Sequence, residues 1–119
     1  MIADLNKDEI IEIHNNIVEN SNEELDILSR HTLDLIAKKH KIAKTLHKKA
    51  AILLHDIPNL QPFSEGNKRS AFASTMIFLK YNKKKLKLGK KRTEEIIIYS
   101  VNNNLTLRDV EKILKEAIV

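Results

Sequence analysis

The chain predicts an all-α fold, a compact helical bundle around a central buried helix at about residues 67–81. Three observations predict it. Apolar residues recur at helical spacing along most of the sequence. Asn6/Glu9, Ser21/Glu24 and Thr106/Asp109 each place a capping side chain three residues before an acidic one, the pattern of a capping box. Only two Gly and two Pro punctuate 119 residues, which leaves little room for turns. At this length a single domain, 1–119, is large enough for its own core.

The elements follow in order. After Asn6, the residues Ile10, Ile11, Ile13, Ile17 and Val18 form one helical face, with His14 on or beside it as a packed core histidine. After Ser21, Leu25, Leu28, Leu35 and Ile36 supply apolar positions, and the polar run Ser29-Arg30-His31-Thr32 predicts a break. Ile42, Leu46, Ala50, Leu53, Leu54 and Ile57 predict the next helix, with Pro58 stopping it at or just before Ile57. Residues 71–79, Ala-Phe-Ala-Ser-Thr-Met-Ile-Phe-Leu, are apolar or small on nearly every face, as in a helix buried on all sides. Tyr81 and Asn82 end it. Lys83 to Leu88 alternates briefly and reads as a short strand or extended turn, closed by Gly89. Thr93 is expected to cap a helix carrying Ile96, Ile97, Ile98, Tyr99 and Val101, ended by Asn102-Asn103-Asn104. A last helix follows, with Val110, Ile113, Leu114 and Ala117 inward.

Composition narrows the function. The chain lacks Cys, so disulfides and thiolate metal sites are excluded. No signal peptide or long apolar run is present, so a soluble cytoplasmic protein without a membrane partner is expected. Lys and Arg exceed Asp and Glu by 21 to 16, a net charge of +5, concentrated in Lys38–Lys49 and Lys83–Arg92. A solvated lysine face explains this better than a nucleic-acid surface, because no aromatic interleaves the lysines and no recognition-helix signature is present. His40, His47 and His55 are seven and eight residues apart, which does not suit a zinc helix.

The chemistry concentrates in Gln61-Pro62-Phe63-Ser64-Glu65-Gly66-Asn67-Lys68-Arg69. It reads as a loop feeding a helix, with Gly66 or Asn67 at the cap. The first-turn amides and the positive end of the helix dipole attract an anion. Lys68 adds a point charge and Arg69 a planar fork suited to phosphate. Glu65 would repel a phosphate unless a cation lay between them. Mg²⁺, which takes one or two carboxylates and completes its shell with phosphate and water, fits that role. The plainer reading is that Glu65 only favours the dipole and both cations are solvated.

This run resembles the signature of the Fic/Doc (filamentation / death-on-curing) family, His-Pro-Phe-x-(Asp/Glu)-Gly-Asn-(Gly/Lys)-Arg. Pro62, Phe63, Glu65, Gly66, Asn67 and Arg69 match it. Lys68, and Phe72 where the Fic branch has arginine, resemble the Doc branch. Residues 7–20 are similar to the opening helix of Doc-type proteins and residues 94–117 to their closing pair. The resemblance implies a Fic/Doc-like helical bundle that binds Mg²⁺ and ATP, or another nucleoside triphosphate. It implies nucleotide contacts from Gly66, Asn67, Lys68 and Arg69, with Glu65 at the metal. It further implies transfer of a phosphate-containing group to a hydroxyl of a target protein, a translation factor for Doc-type toxins. Lys68 favours phosphate transfer over AMP transfer. In the family a hairpin near the site grips the target.

An antitoxin is a further implied partner, and the basic excess would attract an acidic one. Glu19-Asn20 faintly resembles the family's inhibitory pattern, although Asn15 stands where Ser or Thr is required. The catalytic histidine of the family falls on Gln61. A carboxamide has no titratable nitrogen and cannot accept the proton. His55, six residues earlier, is the one nearby histidine that could stand in, though a structural role fits it better. Two readings therefore remain: an impaired Doc-like transferase, and an inactive module of the same fold that binds nucleotide or a partner.

Overall fold

A computed structural model describes residues 1–18, 26–102 and 104–119. Those residues form six helices: α1 (Lys7–Ile17), α2 (Arg30–Ile42), α3 (Leu46–Leu60), α4 (Asn67–Tyr81), α5 (Lys90–Val101) and α6 (Leu107–Ala117). The expected all-α bundle is the fold. Helix α4 lies between α1, α3 and α5, and α3 shares the centre with it, packing against α2, α4, α5 and α6. The core joins Leu5, Ile10, Leu33, Ile36, Leu53, Leu54, Ile57, Phe63, Phe78, Ile96, Val110 and Leu114, all at most 2% exposed. Among the described residues, no helix is long and apolar enough to cross a membrane.

Local chemistry sets the helix starts. Asn6 with Glu9 and Thr106 with Asp109 form complete capping boxes, each pairing two otherwise orphaned amides. The break in the polar run 29–32 falls at Ser29, whose hydroxyl accepts from the Thr32 N–H at 3.1 Å. The Ser21/Glu24 box, Leu25 and the Glu19-Asn20 pattern lie outside the described residues.

Four expectations need correction. Ile42 does not open α3. It ends α2, 65% exposed, and α3 starts later because Thr45 caps it by accepting from the Lys48 N–H at 3.2 Å. Nor does Pro58 stop α3, which continues to Leu60. A proline removes one N–H bond and crowds the carbonyl four residues back. Here burial of Pro58 and the bond from Gln61 N–H to the Ile57 carbonyl (3.0 Å) hold the last turn, and left-handed Gln61 ends it. Helix α4 is not sealed on every face: Met76 is exposed and Phe72 and Ala73 are half-buried, because none of the six described helices covers that stripe fully. Thr93 is not a cap. Gly89 is the N-cap of α5, and the buried Thr93 hydroxyl turns back to donate to the Gly89 carbonyl at 3.0 Å.

Lys83 is a left-handed turn residue at φ 56°, and the stretch that follows it pairs with the C-terminal residues rather than folding into a hairpin. Leu86 bridges Ile118, and Lys85 and Val119 exchange two backbone bonds of 2.9 Å. Asn82, at the end of α4, both donates to and accepts from Ala3.

A buried polar cluster fixes the N-terminal segment. His40 Nδ1 donates to the Lys49 carbonyl (3.0 Å), and Nε2 accepts the Leu5 N–H (3.1 Å). Lys49 Nζ donates to the carbonyls of His40 and Lys41 and lies 2.9 Å from Asp4. Burial pushes the His40 imidazole below its ordinary 6.5, against the Lys49 carbonyl and the Asp4 charge, which favour the proton. The folded state therefore holds His40 neutral while the unfolded chain protonates near 6.5. This contribution to stability is intact above that pH and is lost as pH falls below it. Urea midpoints should fall between about pH 7.5 and about pH 5.5, with a shallower slope in His40→Gln, which has no titratable nitrogen.

Candidate functional site

The candidate site is the loop 61–66 between α3 and α4, together with the first turn of α4. Gly66 is the N-cap of α4 at φ 76°, ψ 14°, and no side chain among the described residues caps the helix. The first helical bond runs from Ser70 N–H to the Gly66 carbonyl (2.8 Å), so the amides of residues 67–69 have no partner within the helix. They carry the positive end of the helix dipole. Only glycine holds this φ without strain, and a Cβ here would lie 2.7 Å from Val18 Cγ2. Gly66→Ala should cost about 1–2 kcal/mol through the left-handed backbone alone. The clash adds to that, and chemical denaturation would measure the sum.

The loop is held from three sides. The Asn67 carboxamide closes it from within: its oxygen accepts the Phe63 N–H (3.1 Å) and its nitrogen donates to the Phe63 carbonyl (2.9 Å). Residues 26–29 hold its outer edge, with Ile27 bridging Phe63, Leu28 N–H donating to the Pro62 carbonyl (2.8 Å) and Ser64 N–H donating to the Asp26 carbonyl (2.7 Å). From α1, the buried His14 stacks on Phe63 with centroids 3.7 Å apart and planes within 8°. His14 Nε2 lies 2.9 Å from the Glu65 carbonyl. A carbonyl only accepts, so that nitrogen carries the hydrogen, and Nδ1 faces the Asn15 carboxamide at 3.2 Å.

Gln61, Gly66, Asn67, Lys68 and Arg69 come together, with Pro58, around a hollow of about 380 Å³. Lys68 and Arg69 are exposed and, among the described residues, have no ion-pair partner. Gln61 is exposed at φ 48°, the left-handed cap of α3. Glu65 is exposed beside the hollow, not in its lining, and its carboxylate has no hydrogen-bond partner among the described residues. No cluster of three or more His, Cys, Asp or Glu side chains suited to a metal occurs among the described residues.

His55 is not brought to the hollow. Its Nδ1 donates to Asp56 at 2.8 Å, and Asp56 also receives Lys39 at 2.6 Å. Burial pushes the Asp56 carboxyl up. The hydrogen bonds from His55 and Lys39, with their charges, outweigh burial and hold it below 3.8. His55 is thus one partner of a bridge between α3 and α2.

Sequence reasoning missed several contributors. Pro58 was read as a helix stop and lines the hollow. The pairing of residues 26–29 with the loop carried no local signal, since it is made by backbone bonds across distance. A second cleft of about 450 Å³ also borders Lys68 and Arg69, lined by Ile17, Phe72, Ala73, Ile97 and Ile98 together with Lys90 and Glu94. Phe72 is one turn from Met76, and their exposure was hidden by the uniformly apolar run.

The profile of the Fic/DOC family matches residues 4–79, a span that contains α1 to α3, the loop and nearly all of α4. Comparison with curated proteins finds no match.

Proposed function

We propose, since this chain belongs to the Fic/DOC family, that the open end of α4 binds a Mg²⁺–nucleotide and presents it to a hydroxyl of a target protein. Phosphate is the group transferred in preference to AMP, on the Doc-like residues Lys68 and Phe72. One observation carries the reading: a glycine-capped helix start, with two cations that have no ion-pair partner among the described residues, opens on a hollow whose loop is pinned from three sides. Such a site is preorganised, so little ordering is needed when an anion arrives.

The residues present fit the implied group. The amides of residues 67–69, Lys68 and Arg69 would hold phosphate oxygens, Arg69 through two parallel bonds. Glu65, whose carboxylate has no partner among the described residues, would hold the cation as a lone carboxylate, consistent with a metal that keeps several waters. When bound, Mg²⁺ neutralises charge on the phosphates. Asn67 spends both side-chain polar atoms on the loop, so its contribution to the nucleotide is its backbone N–H. Gln61 can orient a hydroxyl at the rim of the hollow but cannot take its proton.

That last point supports the second reading, a nucleotide- or partner-binding module without turnover. A transfer assay separates the two. The protein is incubated with Mg²⁺, cell lysate and ATP labelled at the α or γ position. Label from γ identifies phosphate transfer and label from α identifies AMP transfer. No transfer with intact nucleotide binding selects the module, and absence of nucleotide binding removes the transferase and the nucleotide-binding form of the module.

A further inference from the structure

We propose that His14 is a positioning residue for the metal end of this site: from α1 it sets the backbone from which the Glu65 carboxylate projects. The inference rests on the nucleotide reading above and adds a contributor outside the motif. Glu65 is exposed and its side chain is held by no hydrogen bond among the described residues, so within them it is the backbone that aims the carboxylate. That backbone is fixed at residue 65 by His14 Nε2–H, which donates to the Glu65 carbonyl at 2.9 Å. Two residues earlier it is fixed again by the same imidazole, stacked on Phe63 at 3.7 Å.

The two contacts demand a flat ring and a donor on one side chain. His14 is fully buried, so water cannot replace the donor, and Val18 closes the outside of Gly66 beside it. Phenylalanine would keep the stack and leave the Glu65 carbonyl without its donor. Glutamine would offer an N–H at a similar reach and no ring. Partners that orient a metal ligand typically change metal affinity by about 10- to 100-fold when removed.

The test compares wild type, His14→Phe and His14→Gln in two measurements. The first is calorimetric titration with ATP, with and without Mg²⁺. The second is amide hydrogen exchange without ligand at Phe63 and Ser64, referenced to amides of α6. His14→Phe should cut the Mg²⁺-dependent gain in ATP affinity about tenfold and leave Mg²⁺-free binding in place. It should also speed exchange at Phe63 and Ser64 about tenfold while α6 is unchanged. His14→Gln should recover much of the Mg²⁺-dependent gain.

Unchanged exchange at Phe63 and Ser64, or equal losses with and without Mg²⁺, overturns the inference. So does a His14→Gln variant no better than His14→Phe. A wild-type chain that binds no ATP overturns the nucleotide reading and this inference with it. Intact wild-type binding with an equally Mg²⁺-dependent His14→Phe overturns this inference alone.

Discussion

Replacing Gln61 with histidine is expected to raise transfer of γ-labelled phosphate to protein by about 10²- to 10⁴-fold, the usual worth of a positioned general base. The position is suited to the change. Gln61 is exposed and lines the hollow beside Gly66, Asn67, Lys68 and Arg69. Its backbone is left-handed at φ 48°, a region that histidine enters more readily than most residues. The new imidazole would replace a side chain for which no hydrogen bond occurs among the described residues, so the fold should be undisturbed. Nucleotide affinity should stay close to that of the starting protein, since the gain concerns proton transfer alone. Transfer that does not rise, with Mg²⁺–ATP still bound, would show that position 61 is not where the proton leaves.

The largest stability effect is expected from Phe63→Ala. Phe63 is fully buried, bridges Ile27 and stacks on His14. Emptying such a site removes the ring's transfer free energy and leaves a cavity, typically about 3–5 kcal/mol. A typical domain is stable by only about 5–15 kcal/mol, so the variant should sit close to the edge of folding. Urea unfolding followed by circular dichroism measures the loss. A loss below about 0.5 kcal/mol, the range of ordinary surface changes, would mean that the loop is not part of the cooperative core.

These two residues also show how far the sequence could be read. The fold was legible because helix starts are local: Asn6/Glu9 and Thr106/Asp109 each complete their capping within four residues. Thr45 was missed because its cap falls inside an unbroken apolar rhythm from Ile42 to Ile57, and periodicity alone cannot register a three-residue interruption. Pro58 was misread because its cost is local, while the burial that outweighs it comes from distant chain. The motif loop was legible as an anion site from Gly66, Lys68 and Arg69. What pins it was not, because His14 and residues 26–29 are separated from it by more than thirty positions and act through a stacked ring and backbone bonds. Asn67 is the instructive middle case. Its place in the motif suggested a ligand contact, and only coordinates reveal a side chain already committed to its own loop.

Asn82 meets Ala3, and Lys85 meets Val119, where α4 finishes, and the hollow lies where α4 begins. Fifteen helical residues separate those points, a span of about 22 Å. A tether, dye or affinity handle joined at residue 1 or residue 119 would hang from the rear of the molecule. Immobilised through either attachment, the protein would leave its mouth facing the bulk solution, ready to be probed with nucleotide or a macromolecular substrate.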